Sequence, residues 1–157
     1  IINIKLIYCT GYVAAIKAGQ RGLKAVCIEK RGSLGGTCLN VGCIPSKALL
    51  NATHKFHEAQ HDFKNLGIVT GPVSIDFEQL MKQKGEAVTG LTGGIEYLLK
   101  KNGVDYKQGW GKFASKDTVD IDLNAGGTEQ ISAKNIVIAT GSEPNSLPEA
   151  SGLATDE

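Results

Sequence analysis

The sequence predicts an α/β fold in which a Rossmann-like parallel sheet is followed by a small β hairpin or meander. Residues 1–8 are rich in β-branched side chains and read as a strand, residues 11–18 as a helix and residues 24–29 as a second strand. That is the β-α-β order of a doubly wound sheet. Two longer segments in the middle repeat apolar residues at three-four spacing, the period of amphipathic helices. The last third is strand-rich and carries a Gly-Gly turn, as a hairpin requires.

With 157 residues the chain has the size of one domain and can bury about 70% of the surface it exposes when unfolded. A hydrophobic content of 41% and a charged content of 21% are ordinary for a globular protein. A net charge of +1 leaves no basic footprint for nucleic acid or for an anionic membrane surface. No run reaches the roughly 18 apolar residues of a spanning helix, and no cleavable signal pattern is visible. Four cysteines are too few for a secreted disulfide scaffold and fit a reducing compartment with one reactive pair. The chain opens on Ile1 rather than methionine, which reads as a processed chain, a fragment or an imperfect gene model.

Taken in order, the first helix is expected to turn Val13, Ala14 and Ile16 inward. Glu29 closes the second strand, where an acidic side chain in a Rossmann unit accepts hydrogen bonds from a ribose; a solvated strand end is the alternative. Residues 46–63 read as a helix with Ala48, Leu49, Ala52, Phe56 and Ala59 inward. His54, His57 and His61 sit on it at spacings that could face one way, and are read as solvated or structural. Asp76 and Gln79 form a capping box for a long helix that Gly103 ends. Its stripe of Phe77, Leu80, Met81, Ala87, Val88, Leu91, Ile95, Leu98 and Leu99 is expected to be core. Gly85, Gly90, Gly93 and Gly94 lower its intrinsic propensity, so packing must hold it.

Short strands are expected at residues 104–108, 112–115, 118–123 and 129–132, with the hairpin turn at residues 124–127. Gly109-Trp110-Gly111 leaves room for backbone to approach a ligand, with a plain bulge as the alternative. The unbroken apolar run of residues 135–140 reads as a buried parallel strand.

The stretch with most chemistry is Gly35-Gly36-Thr37-Cys38-Leu39-Asn40-Val41-Gly42-Cys43-Ile44-Pro45-Ser46-Lys47, with two cysteines five apart. In an ideal helix such residues lie about 8.6 Å apart at Cα, whereas a disulfide wants roughly 4.4–6.8 Å. Closing the bond therefore means leaving helical geometry, for which Gly42 and Pro45 supply the freedom. A bond closed over a short, distorted loop is reducible. The favoured reading is a redox-active dithiol of Cys38 and Cys43. A structural disulfide stays open, although so small a loop constrains the unfolded chain little. So do two buried free thiols and a zinc site, for which Cys9, Cys27 and the histidines lack paired spacing. A helix start lowers a thiol pKa, and Thr37 is expected to cap that terminus.

These residues resemble the active-site segment of the FAD-dependent pyridine nucleotide-disulfide oxidoreductases, and the resemblance runs with few gaps from Gly11 to about Pro148. Ile44-Pro45-Ser46-Lys47 is most similar to the branch that acts on dihydrolipoyl groups. The resemblance implies oxidation of a dihydrolipoyl group carried by an acyltransferase of 2-oxo acid dehydrogenase complexes. Electrons would pass through the Cys38–Cys43 disulfide and FAD to NAD. It further implies a homodimer, and a mitochondrial matrix location in a eukaryote or a cytoplasmic one otherwise. Cys38 would exchange with substrate and Cys43 would face the flavin. Gly11, Glu29, Lys30, Gly36, Thr37, Cys38, Gly111, Thr140, Gly141 and Ser142 would contact FAD. Lys47 would lie against the flavin ring, where a cation favours the reduced anion; a surface lysine is the alternative.

One departure is local. A dinucleotide fingerprint needs three glycines in Gly-x-Gly-x-x-Gly, and Leu6-Ile7-Tyr8-Cys9-Thr10-Gly11 keeps only the last. Weakened FAD binding is the expectation. Residues 1–157 would form a partial FAD-binding domain with the redox disulfide. The family's NAD and dimerisation domains, the latter carrying a catalytic His-Glu pair, have no counterpart, so little turnover by the chain alone is expected. A glutathione- or mercuric-type reductase portion and a non-enzymatic truncated product are the competing readings.

Overall fold

In the computed structural model, which describes residues 4–7 and 11–142, the apolar run after the first helix becomes the centre of a six-stranded sheet. This strand, β2 (Ala25–Glu29), is buried along its whole length, as a strand covered on both faces must be. It pairs in parallel with β1 (Ile4–Ile7) on one side and with the first half of β3 (Asp105–Phe113) on the other. β6 (Ile136–Ile138) runs parallel to β1. β4 (Thr118–Leu123) and β5 (Thr128–Ser132) continue antiparallel from the second half of β3, giving the order β5-β4-β3-β2-β1-β6. The chain thus winds outward from β1 in one direction and returns to its other side, the pattern that opens a crevice at the carboxyl ends of the strands.

Side-chain alternation along β2 splits the core in two. Ala25 and Cys27 join Ala15 and Ala18 of α1 (Gly11–Gln20) and Ile95 and Leu99 of α4 (Phe77–Lys101) on one face. Val26 and Ile28 join Ile121 of β4 and Ile131 of β5 on the other, so the meander folds over the second face. Between β2 and α4 run α2 (Gly36–Asn40) and α3 (Cys43–His61), with a 3-10 turn at Phe63–Leu66. The α3 helix packs along α4, and Ala48, Leu49, Ala52, Phe56 and Ala59 are its half-buried stripe. It begins three residues earlier than expected because a proline fits the first helical turn, where its missing N–H is no loss.

Several expectations are corrected. The face that α1 turns to the sheet is Gly11, Ala15 and Ala18; Val13 and Ala14 are exposed. Small residues let the helix lie close; Val13, two residues along from Gly11, points away from that stripe, and Ala14 lies at its margin. Capping of α4 follows expectation: the Asp76 carboxylate accepts from the Gln79 N–H at 3.0 Å, and Gly103 takes the left-handed conformation after the helix (φ 66°). Its apolar stripe is not core throughout. Thr92, Ile95 and Leu99 are buried, whereas Phe77, Met81, Leu91 and Leu98 are exposed. Twenty-five residues extend about 37 Å, and only the C-terminal end reaches the sheet.

The two strands expected around Gly109-Trp110-Gly111 are one continuous strand. Pairing runs unbroken from Gly109 opposite Leu123 to Phe113 opposite Val119, which excludes a bulge. A Cβ at Gly109 would stand 2.8 Å from the Ile121 Cγ2, so glycine lets β4 cross closely. β6 lies at the sheet edge rather than buried, with Val137 and Ile138 exposed. The expected strand 1–8 is described only as Ile4–Ile7; the remaining positions lie outside the described residues.

Two outcomes follow for stability. A Cβ at Gly90 or Gly93 meets no atom within 4 Å, so Gly90→Ala and Gly93→Ala should each stabilise the chain by about 0.5–1 kcal/mol. Gly19→Ala, whose Cβ would overlap the Asn102 carbonyl, should lower the melting temperature in the same thermal scans. Burial, and after it the Glu29 charge, push the Cys27 thiol up to about 12 from 9.0. A group whose folded pKa is raised contributes stability that is complete below its unfolded pKa and is lost above it. Urea midpoints should therefore fall between about pH 9 and 12, and Cys27→Ala should flatten that fall.

Candidate active site

The carboxyl ends of β2, β3 and β6 converge on one cleft of about 350 Å³, the place where doubly wound sheets hold ligands. Glu29 closes β2 there and is 3% exposed. Its Oε1 accepts the Arg31 backbone N–H at 3.0 Å, so it is a buried cleft carboxylate and not a solvated strand end. Lys30 and Arg31 bring two cations to the same wall. The Lys30 ammonium stands 4.1 Å from the centroid of the Trp110 ring, a cation–π contact. The Asn124 Nδ2 donates to the Lys30 carbonyl at 2.9 Å and the Gln108 Nε2 to the Gly32 carbonyl at 3.2 Å, so strand β3 and the hairpin turn fasten the loop after β2.

The rest of the lining is made of small residues. Gly36 and Thr37 enter from the start of α2, Gly111 from β3, and Thr140, Gly141 and Ser142 from the turn after β6. Gly36 (φ 62°) and Gly141 (φ 75°) occupy the left-handed region that glycine adopts at no steric cost. Glu29, Lys30, Gly36, Thr37, Gly111, Thr140, Gly141 and Ser142 therefore share one cleft. Gly11 is instead buried at the start of α1, and Tyr8, Cys9 and Thr10, where the glycine-rich loop is expected, lie outside the described residues. Arg31 and Trp110 also line the cleft, beyond the residues expected to contact FAD. Their signals were the Glu-Lys-Arg run and a lone tryptophan between glycines.

Cys38 lies in α2 and Cys43 opens α3, and the two form a disulfide with Cα atoms 4.6 Å apart. The helix breaks between them at Val41 and Gly42, as closure of the bond demands. A Cβ at Gly42 would lie 3.0 Å from the Thr37 carbonyl oxygen and 3.3 Å from the Cys38 Cα, so glycine admits the close approach of the two helices. Both cysteines are exposed while Cys27 is buried and free. Cys38 and Cys43 are not among the residues that line the cleft; Gly36 and Thr37, which are, directly precede Cys38 in the chain, and both cysteines are open to an attacking thiolate.

One expected role is not borne out in position. Thr37 does not cap α2: Gly35 stands at the cap (φ 103°) with no side-chain hydrogen bond, and Thr37 is already inside the helix. Lys47 is exposed one turn into α3 and is absent from the cleft lining. On the same helix the His57 and His61 rings lie 4.5 Å apart, and His54 Nε2 lies 3.5 Å from the Glu58 carboxylate. All three histidines are solvent-exposed.

Comparison with known proteins places this geometry in a family. Residues 9–157 match the family described as pyridine nucleotide-disulphide oxidoreductase. Dihydrolipoamide dehydrogenase of Chaetomium thermophilum is 58% identical over 147 residues, covering 94% of this chain and 29% of that protein. Leghemoglobin reductase of Vigna unguiculata is 57% identical, with 94% and 28% covered. Dihydrolipoyl dehydrogenase 1, mitochondrial, of Arabidopsis thaliana is 55% identical with the same coverage. Among solved structures, the Cu(II) complex of the HOCl-induced flavoprotein disulfide reductase RclA from Escherichia coli superposes with a TM-score of 0.73 at 24% identity. That match covers 94% of this chain and 30% of that one and bears on the fold alone. The chain spans less than a third of the length of the curated relatives named here. With the family match extending over nearly its whole length, the chain belongs to the pyridine nucleotide-disulphide oxidoreductases.

Proposed function

We propose that this chain is the FAD-binding and redox-dithiol portion of a dihydrolipoyl dehydrogenase, and the observation that carries this is the exposed Cys38–Cys43 disulfide that directly follows the cleft-lining residues Gly36 and Thr37. The cleft suits part of a dinucleotide. Its size falls in the range of small-molecule sites, roughly 300–1,000 Å³. It combines a buried carboxylate with three glycines, Gly36, Gly111 and Gly141, that leave room for close approach of a ligand. Glu29 would receive ribose hydroxyls, and Gly36, Thr37 and Gly141 would offer backbone to the cofactor. Bound FAD supplies a two-electron acceptor for the dithiol and a donor for NAD.

The chain's own chemistry is thiol–disulfide exchange. A thiolate of a dihydrolipoyl group attacks the Cys38 Sγ, the Cys38–Cys43 bond breaks, and Cys43 leaves as a thiolate. The second substrate thiolate then attacks the substrate sulfur of the mixed disulfide. Cys38 is released as a thiolate and the substrate closes as a cyclic disulfide. Two electrons have moved to the cysteine pair, and the substrate's two thiol protons pass to solvent. The position of Cys43 at the first residue of α3 favours its anionic form, because unsatisfied N–H groups and the helix dipole converge there.

On this reading the partner is a lipoyl-bearing acyltransferase, the complete assembly a homodimer and the location the mitochondrial matrix, the last supported by relatives named mitochondrial. Residues 1–157 form part of the FAD domain, and the NAD and dimerisation domains of such a dehydrogenase lie outside them. No helix among the described residues is long and apolar enough to cross a membrane.

The test is a titration of FAD with the purified chain, read by flavin fluorescence, followed by visible spectra with dihydrolipoamide. Saturable quenching is expected, weakened about tenfold by Glu29→Ala, which removes hydrogen bonds to a charged group. The flavin band should bleach with dihydrolipoamide in the unaltered chain and persist in Cys38→Ser and Cys43→Ser. Absence of quenching overturns the cofactor assignment, and bleaching that survives Cys43→Ser overturns the dithiol assignment. Lipoamide-to-NAD turnover should be negligible, and a rate matching a complete dehydrogenase would contradict the reading of the chain as one portion of it.

A further inference from the structure

The turn that carries Cys38 is too short to hold itself. α2 has five residues and no side-chain cap at its start, and an isolated helical turn of that length is unstable because nucleation fixes many dihedrals for few bonds. Its last residue, Asn40, is half-buried and folds back over the whole element. The Asn40 Nδ2 donates to the Gly36 carbonyl at 2.9 Å and to the Leu34 carbonyl at 3.1 Å. Its Oδ1 accepts from the Ser33 hydroxyl at 2.6 Å. One side chain thus ties the end of α2 to its first residue and to the loop that precedes it.

That loop is the one most in need of a tie. Gly32, Gly35 and Gly36 all lie at positive φ, and glycines leave an unfastened segment many accessible conformations. The same residues bear on both parts of the site. Gly36 lines the cleft, and Cys38 sits midway between Gly36 and Asn40, inside the span that the Asn40 amide closes.

We infer that Asn40 is the positioning residue of the dithiol: its three hydrogen bonds hold Cys38 against Cys43 and keep the Gly36–Thr37 edge of the cleft in register with it. This rests on the reading of Cys38 and Cys43 as a redox pair. A fastened loop presents the two thiols to each other at high effective concentration, so the bond closes with little further ordering. With Asn40 removed, the reduced chain gains freedom that closure must then remove, and the equilibrium shifts toward the dithiol. Ser33 contributes one of the three bonds and should contribute the smaller part.

The experiment is a thiol–disulfide titration of the full chain in glutathione redox buffers, with Cys38 and Cys43 read by alkylation and peptide mass spectrometry. Melting curves are recorded in parallel. Asn40→Ala should lower the constant for disulfide formation about tenfold, a rise of about 30 mV in midpoint for a two-electron couple. Asn40→Asp keeps the acceptor for Ser33 but sets a carboxylate against two carbonyl oxygens, and it should shift the midpoint at least as far. Ser33→Ala, which leaves both carbonyl bonds in place, should shift it in the same direction by less and serves where the Asn40 variants fail to fold. Midpoints that stay at the unaltered value while melting temperatures fall would make Asn40 merely structural and overturn the inference alone. An unaltered chain in which Cys38 and Cys43 never form a titratable couple would overturn the redox reading and the inference with it.

Discussion

Burial of β2 on both faces is the constraint from which the rest of the structure follows. A five-residue strand with Ala25 and Cys27 toward the helices and Val26 and Ile28 toward the meander requires cover on both sides. α1 and α4 form one layer and the β4–β5 ribbon the other. Because β2 is central, its last residue emerges inside the molecule and not at a rim. That is why Glu29 can be a carboxylate, buried, and part of a cleft wall at once. Burial of a charged group is unfavourable unless polar partners compensate, and the Arg31 N–H provides one such partner.

The same packing separates the cysteines by reactivity. Cys27 lies in the middle of β2, where burial raises its pKa and keeps it a thiol. Cys38 and Cys43 lie on two helical pieces that follow the loop after β2 and are exposed, joined by a glycine that allows their backbones to approach closely. One chain therefore holds an inert thiol and an accessible disulfide without conflict, since access and desolvation decide thiol chemistry.

The long connection from β2 to β3 also joins the two halves of the site. α2 and α3 carry the disulfide, and α4 returns the chain to the sheet so that β3 can pair with β2 and deliver Trp110 and Gly111 to the cleft. Hydrogen bonds from Asn124 and Gln108 then reach back to the loop after β2. The β-rich last third is thus part of the cleft's construction, and a change in the hairpin turn would be felt at Lys30 and Gly32.

Local sequence was sufficient where short-range physics decides the outcome. The capping pair Asp76 and Gln79, the left-handed Gly103, the β-α-β order and the need of the cysteine stretch to leave helical geometry all depend on a few neighbouring residues, and each was legible. Which apolar residues are buried was not, because the same three-four spacing in α4 serves a packed C-terminal end and an exposed remainder, and only the position of the sheet distinguishes them. Continuity of β3 through Gly109 and the edge position of β6 likewise depend on pairing partners distant in the chain. At the site, glycine spacing and the motif marked Gly36, Gly111 and the cysteines. Only tertiary packing brought Arg31 and Trp110 beside them, left Lys47 outside, and turned the Asn40 amide back across α2. Such contacts are settled by where elements meet in space, which no short window of sequence records.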